Sequence, residues 1–332
     1  MDDLKGVGFF MASLDNGLRS LRICSRCKRK QSIYYRPYSG ERLCAGCFTD
    51  SLKERVERTI AKFRMFERDS RIAVAVSWGK DSLNLLKILC DLEESYPRAE
   101  LVAVSIDEGI NGYRNEALGF VEGACKELGV ESQTLSFKEL FGFTMDEIVE
   151  ETKEGELSPC SYCGVLRRKA LNQAARKVGA DRLATAHNLD DMAQTALLNI
   201  MRGDVNRLES FSPAGNSITG FVRRVKPFCE VPERESALLA YLTGINFQSI
   251  SCPYAGEAMR NDVRSFLSTM EAKRPGTQFI VYQAAINLIS NRSNEQALMS
   301  NICDKCGEPT QARICRACEL ISDLRAPKRK IL

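Results

Sequence analysis

Four Cys-x-x-Cys pairs, two near each end of the chain, constrain the fold more than any other sequence feature. Sixteen residues separate the first two pairs, and eight separate the last two. Each pair forms a tight knuckle that offers two thiolates, and two knuckles complete a tetrahedral metal site. We therefore predict two zinc sites, structural or RNA-positioning in their role, with the ligands Cys24, Cys27, Cys44 and Cys47 at one end and Cys303, Cys306, Cys315 and Cys318 at the other.

The same cysteines also indicate the redox compartment of the protein. The chain has 14 cysteines and one histidine, and Met1 is followed by two aspartates with no long apolar core. Without an export signal, disulfides are the weaker interpretation, and metal or redox chemistry in a reducing cytoplasm is favoured. Neither cysteine-rich end has enough apolar residues to fold alone, so bound metal would supply much of the folding free energy. Unconnected reduced thiols are the alternative, which the repeated spacing argues against.

The remaining composition is that of a globular protein. With 332 residues, the chain has room for about two domains. Hydrophobic residues make up 44%, charged residues 27%, and the net charge is +4. No apolar run approaches the ~20 residues that span a bilayer, so we expect no membrane association. The charge permits a nucleic-acid partner without requiring one.

The central part of the chain alternates between short apolar runs and helical periodicity. This alternation predicts an α/β fold with a doubly wound parallel sheet. Ligands of such sheets bind beyond the carboxyl ends of the strands, here after residues 76, 106 and 186. The predicted strands are 72–76, 101–106, 133–137 and 182–186, and the predicted helices are 83–92, 113–128, 164–178 and 190–202.

A basic helix is predicted to follow the first cysteine-rich segment. Its apolar residues recur at helical spacing, and cations fill the other face. This face has two interpretations, a solvated surface or a surface that meets nucleic acid. The apolar residues are Leu52, Val56, Ile60, Phe63 and Phe66, and the cations are Lys53, Arg55, Arg58, Lys62 and Arg64.

A short polar turn follows the first predicted strand. It reads Ser77-Trp78-Gly79-Lys80-Asp81-Ser82 and leads into a helix. Backbone N–H groups at such a turn bind phosphate, and the side chains add two hydroxyls, a cation and a carboxylate that suits Mg²⁺. From the residues alone, an ordinary strand–helix loop remains an equal alternative.

These motifs together resemble a known family. Ser77–Ser82 resembles the PP-loop SGGxDS of ATP pyrophosphatases, and His187–Asp191 with Thr195 resembles their GHNxDDxxxT segment. With the two terminal zinc ribbons, the whole set resembles the tRNA 2-thiouridine synthetases of the TtuA type, from about residue 24 to 318. The other matching segments are Pro159–Gly164 with Arg167 and Arg168, Arg202–Asp204, Arg224–Pro227 and Cys252–Tyr254.

The resemblance implies a domain organisation. A PP-loop, HUP-like α/β domain is expected at 51–275, with a zinc ribbon at 20–50 and a second ribbon with a basic tail at 276–332. The family often dimerises, so a homodimer is expected. The tail, which includes Arg325 and Lys328–Lys330, is interpreted as a tRNA contact or a solvated end.

The resemblance also implies the reaction. The C2 oxygen of a tRNA uridine attacks the α-phosphate of ATP, pyrophosphate leaves, and sulfur then displaces AMP. Lys80 would stabilise charge, Asp81 would lie near Mg²⁺, and Asp191 would act near the uridine or the metal. The nucleotide site would comprise Ser77, Trp78, Gly79, Lys80, Asp81, Ser82, Asp107 and His187.

Three internal cysteines are the expected route for sulfur. In the TtuA type, cysteines at the positions of Cys160, Cys163 and Cys252 hold a [4Fe–4S] cluster, which leaves one iron without a protein ligand. Persulfide chemistry on the same thiols is the alternative. The donor would be free sulfide or a ubiquitin-like carrier. The other internal cysteines, Cys90, Cys125 and Cys229, are expected in the core.

Several alternatives stay open. The target is expected to be wobble uridine 34, because residues 106–114 and 202–204 look closer to that branch, with uridine 54 in the T-loop as the second candidate. Arg167 and Arg168 are expected to contact tRNA phosphate. Two other functions are alternatives. The chain would then be a PP-loop enzyme with another product, or an RNA-binding zinc-ribbon protein with an inactive loop.

One departure from the motif keeps the inactive protein under consideration. Trp78 stands where the family has a glycine that permits a positive φ. The tryptophan ring would crowd the pyrophosphate, cover the nucleotide or lie in solvent. Glycine at this position is expected to keep or raise activity.

Overall fold

The structure is a computed structural model, and it divides the chain into two compact units. One unit ends at Leu52 and the other begins at Lys53. Among the described residues, no helix combines the length and the apolar character needed to cross a membrane. The described residues are 22–93, 98–113, 115–152, 157–203, 211–215, 218–247, 252–254, 258–290 and 301–325.

The first unit is built around a small antiparallel hairpin. Strands β1 (Tyr34–Arg36) and β2 (Glu41–Leu43) pair with Tyr34 opposite Leu43. Helix α1 (Ala45–Lys62) begins directly after the second strand. The knuckle at Cys24 closes when the Lys28 N–H donates to the Cys24 carbonyl at 2.9 Å. The hairpin and this knuckle bring the two Cys-x-x-Cys pairs together.

The second unit contains a five-stranded parallel sheet in the order β5-β4-β3-β6-β7. Strand β3 therefore lies between β4 and β6. The chain adds β4 and β5 on one side of β3 and then β6 and β7 on the other, so the topology switches direction at β3. Such a switch point opens a crevice at the carboxyl edge. The strands are β3 (Arg71–Ala75), β4 (Glu100–Asp107), β5 (Glu131–Ser136), β6 (Arg182–Ala184) and β7 (Arg223–Val225).

Helices cover both faces of this sheet, as the buried strands require. Their bounds are α2 (Lys80–Glu93), α3 (Asn115–Leu128), α4 (Phe137–Phe141), α5 (Met145–Glu151), α6 (Pro159–Lys177), α7 (Leu189–Met201), α8 (Glu233–Thr243), α9 (Ala258–Lys273) and α10 (Thr277–Ser290). A second antiparallel pair, β8 (Asn301–Ile302) and β9 (Pro309–Thr310), precedes α11 (Arg316–Arg325).

The predicted α/β fold with flanking cysteine ribbons is confirmed, with two local corrections. Phe137 was predicted to end a strand but begins α4, because Ser136 and Glu139 form a reciprocal capping box. The helix predicted from residue 164 begins at Pro159, whose fixed φ suits the first helical turn. Cys160 and Cys163 consequently lie on the first turns of a helix.

The basic helix is shorter than predicted, and its cations are engaged within the protein. It ends at Lys62, which leaves Phe63 and Phe66 outside it. Arg55 contacts the fully buried Glu235 at 3.2 Å, and Lys62 contacts Glu230 at 2.6 Å. Arg55 therefore belongs to a buried ion pair, whereas Lys62 is 48% exposed. For the exposed cations of the helix, a solvated surface and a nucleic-acid surface both stay open.

Candidate active site and metal centres

The PP-loop connects β3 to α2 at the switch point. The Ser82 hydroxyl donates to the Gly79 carbonyl at 2.9 Å and accepts from the Ser77 N–H at 3.1 Å. Because Lys80 begins the helix, the loop places free backbone N–H groups at a helix N-terminus. That arrangement binds anions.

Trp78 adopts the conformation that glycine would provide. Its φ is +67°, and its side chain is only 2% exposed. The expectation that this position needs a positive φ is met, but the placement of the ring in solvent was wrong. Within the described part of the chain, the buried indole Nε1 has no hydrogen-bond partner.

The buried ring changes the expectation for glycine at this position. Removing a large buried aromatic side chain costs about 3–5 kcal/mol, whereas relief of the left-handed backbone returns about 1–2 kcal/mol. We expect Trp78→Gly to lower the melting temperature by roughly 2–6 °C, measured by calorimetry, and Trp78→Phe to lower it less. An unchanged or higher melting temperature in Trp78→Gly would show that the ring contributes nothing to stability.

Lys80 lies between two carboxylates. Its ammonium contacts Glu233 Oε1 at 3.0 Å and Asp81 Oδ2 at 3.3 Å. Burial alone would lower the pKa of Lys80, but these two carboxylates raise it above the ordinary lysine value. Asn188 on the neighbouring connection donates to the same Asp81 oxygen at 3.2 Å. The two predicted motifs therefore meet at one hydrogen bond.

The two aspartates of the second motif have different surroundings. Asp190 accepts from the Glu233 N–H and from Gln278 Nε2, each at 2.7 Å, so it joins α7 to the starts of α8 and α10. Asp191 forms a capping box with Asn188. Burial, together with the nearby Asp81, raises the pKa of Asp191 to about 6.

This raised pKa predicts a pH-dependent stability difference. Above pH 6 the folded protein holds the Asp191 charge at a cost that the unfolded chain does not bear. As the pH falls from about 6 to 4, only the folded state takes up this proton, and the cost disappears. We expect the free energy of unfolding of Asp191→Asn to exceed that of the parent by about 1–2 kcal/mol at pH 7.5. This difference should largely disappear at pH 4.5.

Chemical denaturation at the two pH values measures this difference. Asp262→Asn, at an exposed position on α9, is the matched control and should leave stability unchanged at both. A constant difference between Asp191→Asn and the parent across this range would contradict the prediction.

His187 lies among cations. Its Nδ1 is 2.9 Å from the Thr185 hydroxyl. The side chain is exposed, but desolvation by the surrounding chain and, after it, four nearby cations lower the pKa of His187 below its ordinary value. The ring is therefore neutral at physiological pH. The four cations, hereafter the cationic cluster, are Lys226, Arg224, Arg260 and Arg168.

Two members of the cationic cluster are desolvated and donate to backbone carbonyls, Lys226 to Phe211 and Ser212 and Arg224 to Arg168. Burial, followed by the repulsion of Arg168, lowers the pKa of Arg224 to about 10. Burial is also the largest cause that lowers the pKa of Lys226 to about 8. Partly desolvated cations that repel one another favour a polyanionic ligand, and phosphate groups fit that description.

The three internal cysteines come together beside the sheet. Cys160 and Cys163 are one turn apart on α6, and Cys160 Sγ contacts the Tyr254 carbonyl at 3.3 Å. Burial raises the pKa of Cys163 to about 11, and Cys252 and Cys160 contribute in the same direction. These thiols form a neighbouring set without the compact spacing of the terminal sites.

Arg167 is 42% exposed, and its guanidinium also contacts the cysteine site, so the expected contact with tRNA phosphate stays a prediction. Its Nη2 donates to Cys163 Sγ at 3.2 Å, and its Nε lies 2.7 Å from Glu108, which is fully buried. Arg167 therefore belongs to the cysteine site, where its charge favours the Cys163 thiolate. No sequence signal indicated Glu108 as its partner.

Both terminal cysteine sets have zinc geometry. In each set the four sulfur atoms lie within 4.8 Å of one another. Cys27 and Cys44 Sγ are 3.9 Å apart, as are Cys306 and Cys315 Sγ. A tetrahedral zinc with Zn–S bonds of about 2.3 Å requires about 3.8 Å between sulfurs. The residues present therefore fit Zn²⁺ at both ends.

The other predicted residues have varied positions. Asp107 ends β4, and its Oδ1 accepts from the Gly109 N–H at 2.8 Å, so it shapes that strand end. Cys125 and Cys229 are buried as expected, whereas Cys90 is half-buried. Arg325 donates to the Phe141 carbonyl at 3.2 Å. Asp204, Arg114 and the tail Lys328–Lys330 lie outside the described residues.

The comparisons with known proteins agree with this geometry. Residues 52–271 match the PP-loop domain family, and residues 23–49 match the N-terminal LIM domain of 2-thiouridine synthetase TtuA. The first match covers well over half of the chain. The chain belongs to the PP-loop family and is of the TtuA type. The predicted membership and the predicted class of ATP-using tRNA sulfurtransferase are confirmed.

Relatives of this TtuA-type protein match along nearly their whole length. Cytoplasmic tRNA 2-thiolation protein 1 of Chlamydomonas reinhardtii is 39% identical, over 91% of this chain and 85% of that protein. A probable sulfurtransferase of Methanocaldococcus jannaschii is 34% identical, over 94% and 90%. The solved U34-tRNA thiolase NcsA of Methanococcus maripaludis, with its [4Fe-4S] cluster, superposes with a TM-score of 0.80 at 31% identity, over 91% and 96%. The expected cytoplasmic location agrees with the first relative's name.

Proposed function

We propose that this TtuA-type PP-loop protein uses ATP to replace the C2 oxygen of a tRNA uridine with sulfur, and that the uridine is the wobble base. The hydrogen bond from Asn188 to Asp81 carries the proposal, because it joins the phosphate-binding loop to the His187–Asp191 segment at the switch point. Support for the wobble position comes from NcsA, named a U34-tRNA thiolase and similar over nearly the whole chain.

ATP would bind with its β- and γ-phosphates against the loop Ser77–Ser82. The backbone N–H groups and the Ser77 hydroxyl would donate to phosphate oxygens, and Lys80 would offset their charge. Asp81 fits a Mg²⁺ ligand, because its Oδ1 is buried and has no hydrogen-bond partner among the described residues. Trp78 and Asp107 would border the same nucleotide, and their contribution stays a prediction.

Adenylation would follow at the α-phosphate. The uridine C2 oxygen attacks phosphorus, the bond to the β-phosphate oxygen breaks, and pyrophosphate leaves with that electron pair. The cationic cluster beside the neutral His187 is placed to offset the charge of phosphate and tRNA backbone. Asp191, with a pKa near 6, remains largely ionised at neutral pH and is suited to accept a proton from the uridine or to contact the metal.

Sulfur would reach the activated carbon through the internal cysteines. Cys160, Cys163 and Cys252 are the thiolates that would hold a [4Fe–4S] cluster, and Arg167 offsets part of their charge. When bound by three thiolates, a cluster supplies one iron that is open to a sulfide. The incoming sulfur attacks C2, and the oxygen leaves with AMP. A persulfide on one of the same thiols is the alternative carrier. It would need a donor of sulfane sulfur instead of sulfide, and a second cysteine would break the S–S bond when the sulfur is transferred, which leaves a disulfide that an external thiol must reduce.

The remaining partners are part of the proposal. Two Zn²⁺ ions would occupy the terminal four-cysteine sites, where their contribution is structural. The sulfur donor is free sulfide or a ubiquitin-like carrier, and the protein is expected to act as a homodimer. Thiolation assays with each donor in turn test the first expectation. Analytical ultracentrifugation tests the second.

An anaerobic assay tests the proposal. Purified protein is incubated with unmodified tRNA, ATP, Mg²⁺ and sulfide, and the digested tRNA is analysed for 2-thiouridine by mass spectrometry. Nuclease fragments locate the modified base. We expect 2-thiouridine at position 34, together with tRNA-dependent release of pyrophosphate.

Other outcomes would change the proposal in defined ways. 2-Thiouridine at position 54 would assign the T-loop as target. A different nucleoside would indicate another PP-loop chemistry. If protein shown to contain iron and bind tRNA forms no pyrophosphate and no 2-thiouridine, that result would favour the interpretation as an inactive RNA-binding protein.

A further inference from the structure

Lys169 connects helix α6 with the C-terminal cysteine site. Its ammonium lies 2.9 Å from Cys306 Sγ, 3.3 Å from Cys315 Sγ and 3.8 Å from Cys318 Sγ. Four thiolates around Zn²⁺ carry a net charge of about −2. A lysine that donates to three of these sulfurs offsets part of that charge and, like other outer-shell partners, holds the ligands in place.

The same helix presents the cysteines of the proposed sulfur site. Lys169 follows Cys163 by six residues, which corresponds to about 9 Å along the helix axis. A continuous α-helix carries a constraint over this distance with little loss. Whatever fixes Lys169 therefore also restricts the position of Cys160 and Cys163.

Further contacts attach the C-terminal segment to this region. Arg176, seven residues after Lys169 and on the same helix face, contacts Glu308 at 2.7 Å. A Cβ at Gly220, whose φ is +82°, would lie 2.5 Å from Pro309 Cγ, so the backbone before β7 packs directly on the ribbon.

The ribbon also shares a hydrophobic core with α6. Cys303, Cys315 and Leu320 belong to the same buried cluster as Tyr162 and Leu166. The two α6 residues are four apart, so one continuous face of the helix packs in this cluster. The C-terminal site is therefore built into the wall that supports the internal cysteines.

We propose that Lys169 is a positioning residue that couples metal occupancy of the C-terminal four-cysteine site to the order of the first turns of α6, which carry Cys160 and Cys163. The inference rests on the proposed function only for the role of those two thiols. It predicts that loss of the C-terminal metal loosens the sulfur site, although the two sites share no ligand.

Zinc release and hydrogen exchange test this coupling in the full zinc-loaded chain. The parent, Lys169→Met, Lys169→Arg and Lys177→Gln are compared, the last being an exposed lysine on the same helix. We expect Lys169→Met to release one of two zinc ions about 10–100 times faster to a chromogenic chelator. Amides at 160–166 should exchange faster, while those of α2 stay unchanged.

The controls separate coupling from a general loss of stability. Lys169→Arg should restore slow release, and Lys177→Gln should match the parent in both measurements. Parent-like zinc release in Lys169→Met, or fast release with unchanged exchange at 160–166, would overturn the proposal.

A second variant keeps the test decisive if Lys169→Met does not fold. Glu308→Gln removes the neighbouring ion pair and should speed exchange in α6 to a smaller extent, and unchanged exchange would count against the coupling. Both measurements need neither tRNA nor ATP. A failure of thiolation would therefore overturn the proposed function without affecting this result.

Discussion

Alanine at Cys160, Cys163 or Cys252 is expected to reduce 2-thiouridine formation below detection. Each substitution leaves two thiolates where the proposed site needs three, and a cluster with too few protein ligands is lost. ATP binding should persist, because the loop Ser77–Ser82 connects β3 to α2, whereas Cys160 and Cys163 lie on α6. Mass spectrometry of digested tRNA, iron analysis and nucleotide titration measure the three quantities.

The control for these variants is Cys90→Ala. Cys90 is half-buried on α2 and outside the proposed sulfur site, so thiolation should continue at close to the parental rate. Retained thiolation in any one of the three variants would rule out the cluster mechanism. Loss of thiolation with full iron content would favour a persulfide on the substituted residue.

Methionine at Lys80 is expected to lower the rate of pyrophosphate release about 10²–10³-fold, the usual cost of removing one preorganised charge from a transition state. The substitution keeps the length of the side chain and removes its charge. Release is measured with tRNA present and saturating ATP, so that weakened binding does not account for the loss.

Two further variants make the Lys80 result specific. Lys87→Met changes another lysine on the same helix and should have little effect. Glu233→Gln removes one of the two carboxylates that hold Lys80, and it should leave the reaction largely intact, since Asp81 still contacts the ammonium at 3.3 Å. A tenfold or smaller effect of Lys80→Met would place the charge stabilisation elsewhere.

The features that local spacing encodes could be predicted from the sequence. The knuckles, the polar turn after β3 and the order of the central strands and helices all depend on residues a few positions apart. Strand β7 was missed because Arg223–Val225 has two arginines and no apolar run. Helices α8 to α10 were missed because no motif drew attention to them.

Pairings between distant segments were beyond sequence reasoning. Glu233 reaches Lys80 across 153 positions, and Lys169 reaches Cys306 across 137. The contacts of Arg167 with Cys163 and Glu108 were not foreseen, because an arginine next to a motif has the same sequence signature whatever its neighbours are. Only the fold shows which neighbours a side chain meets.

The paired aspartates of the second motif have a consequence for mutational screens. Burial raises the pKa of both aspartates, but Asp190 also holds the starts of two helices, whereas Asp191 caps its own helix. A screen based on loss of function would score substitutions at both positions alike and would not show that their causes differ. The amount of soluble protein separates the two positions. A change at Asp190 should reduce the amount of soluble protein, whereas Asp191→Asn should give abundant protein that does not form 2-thiouridine.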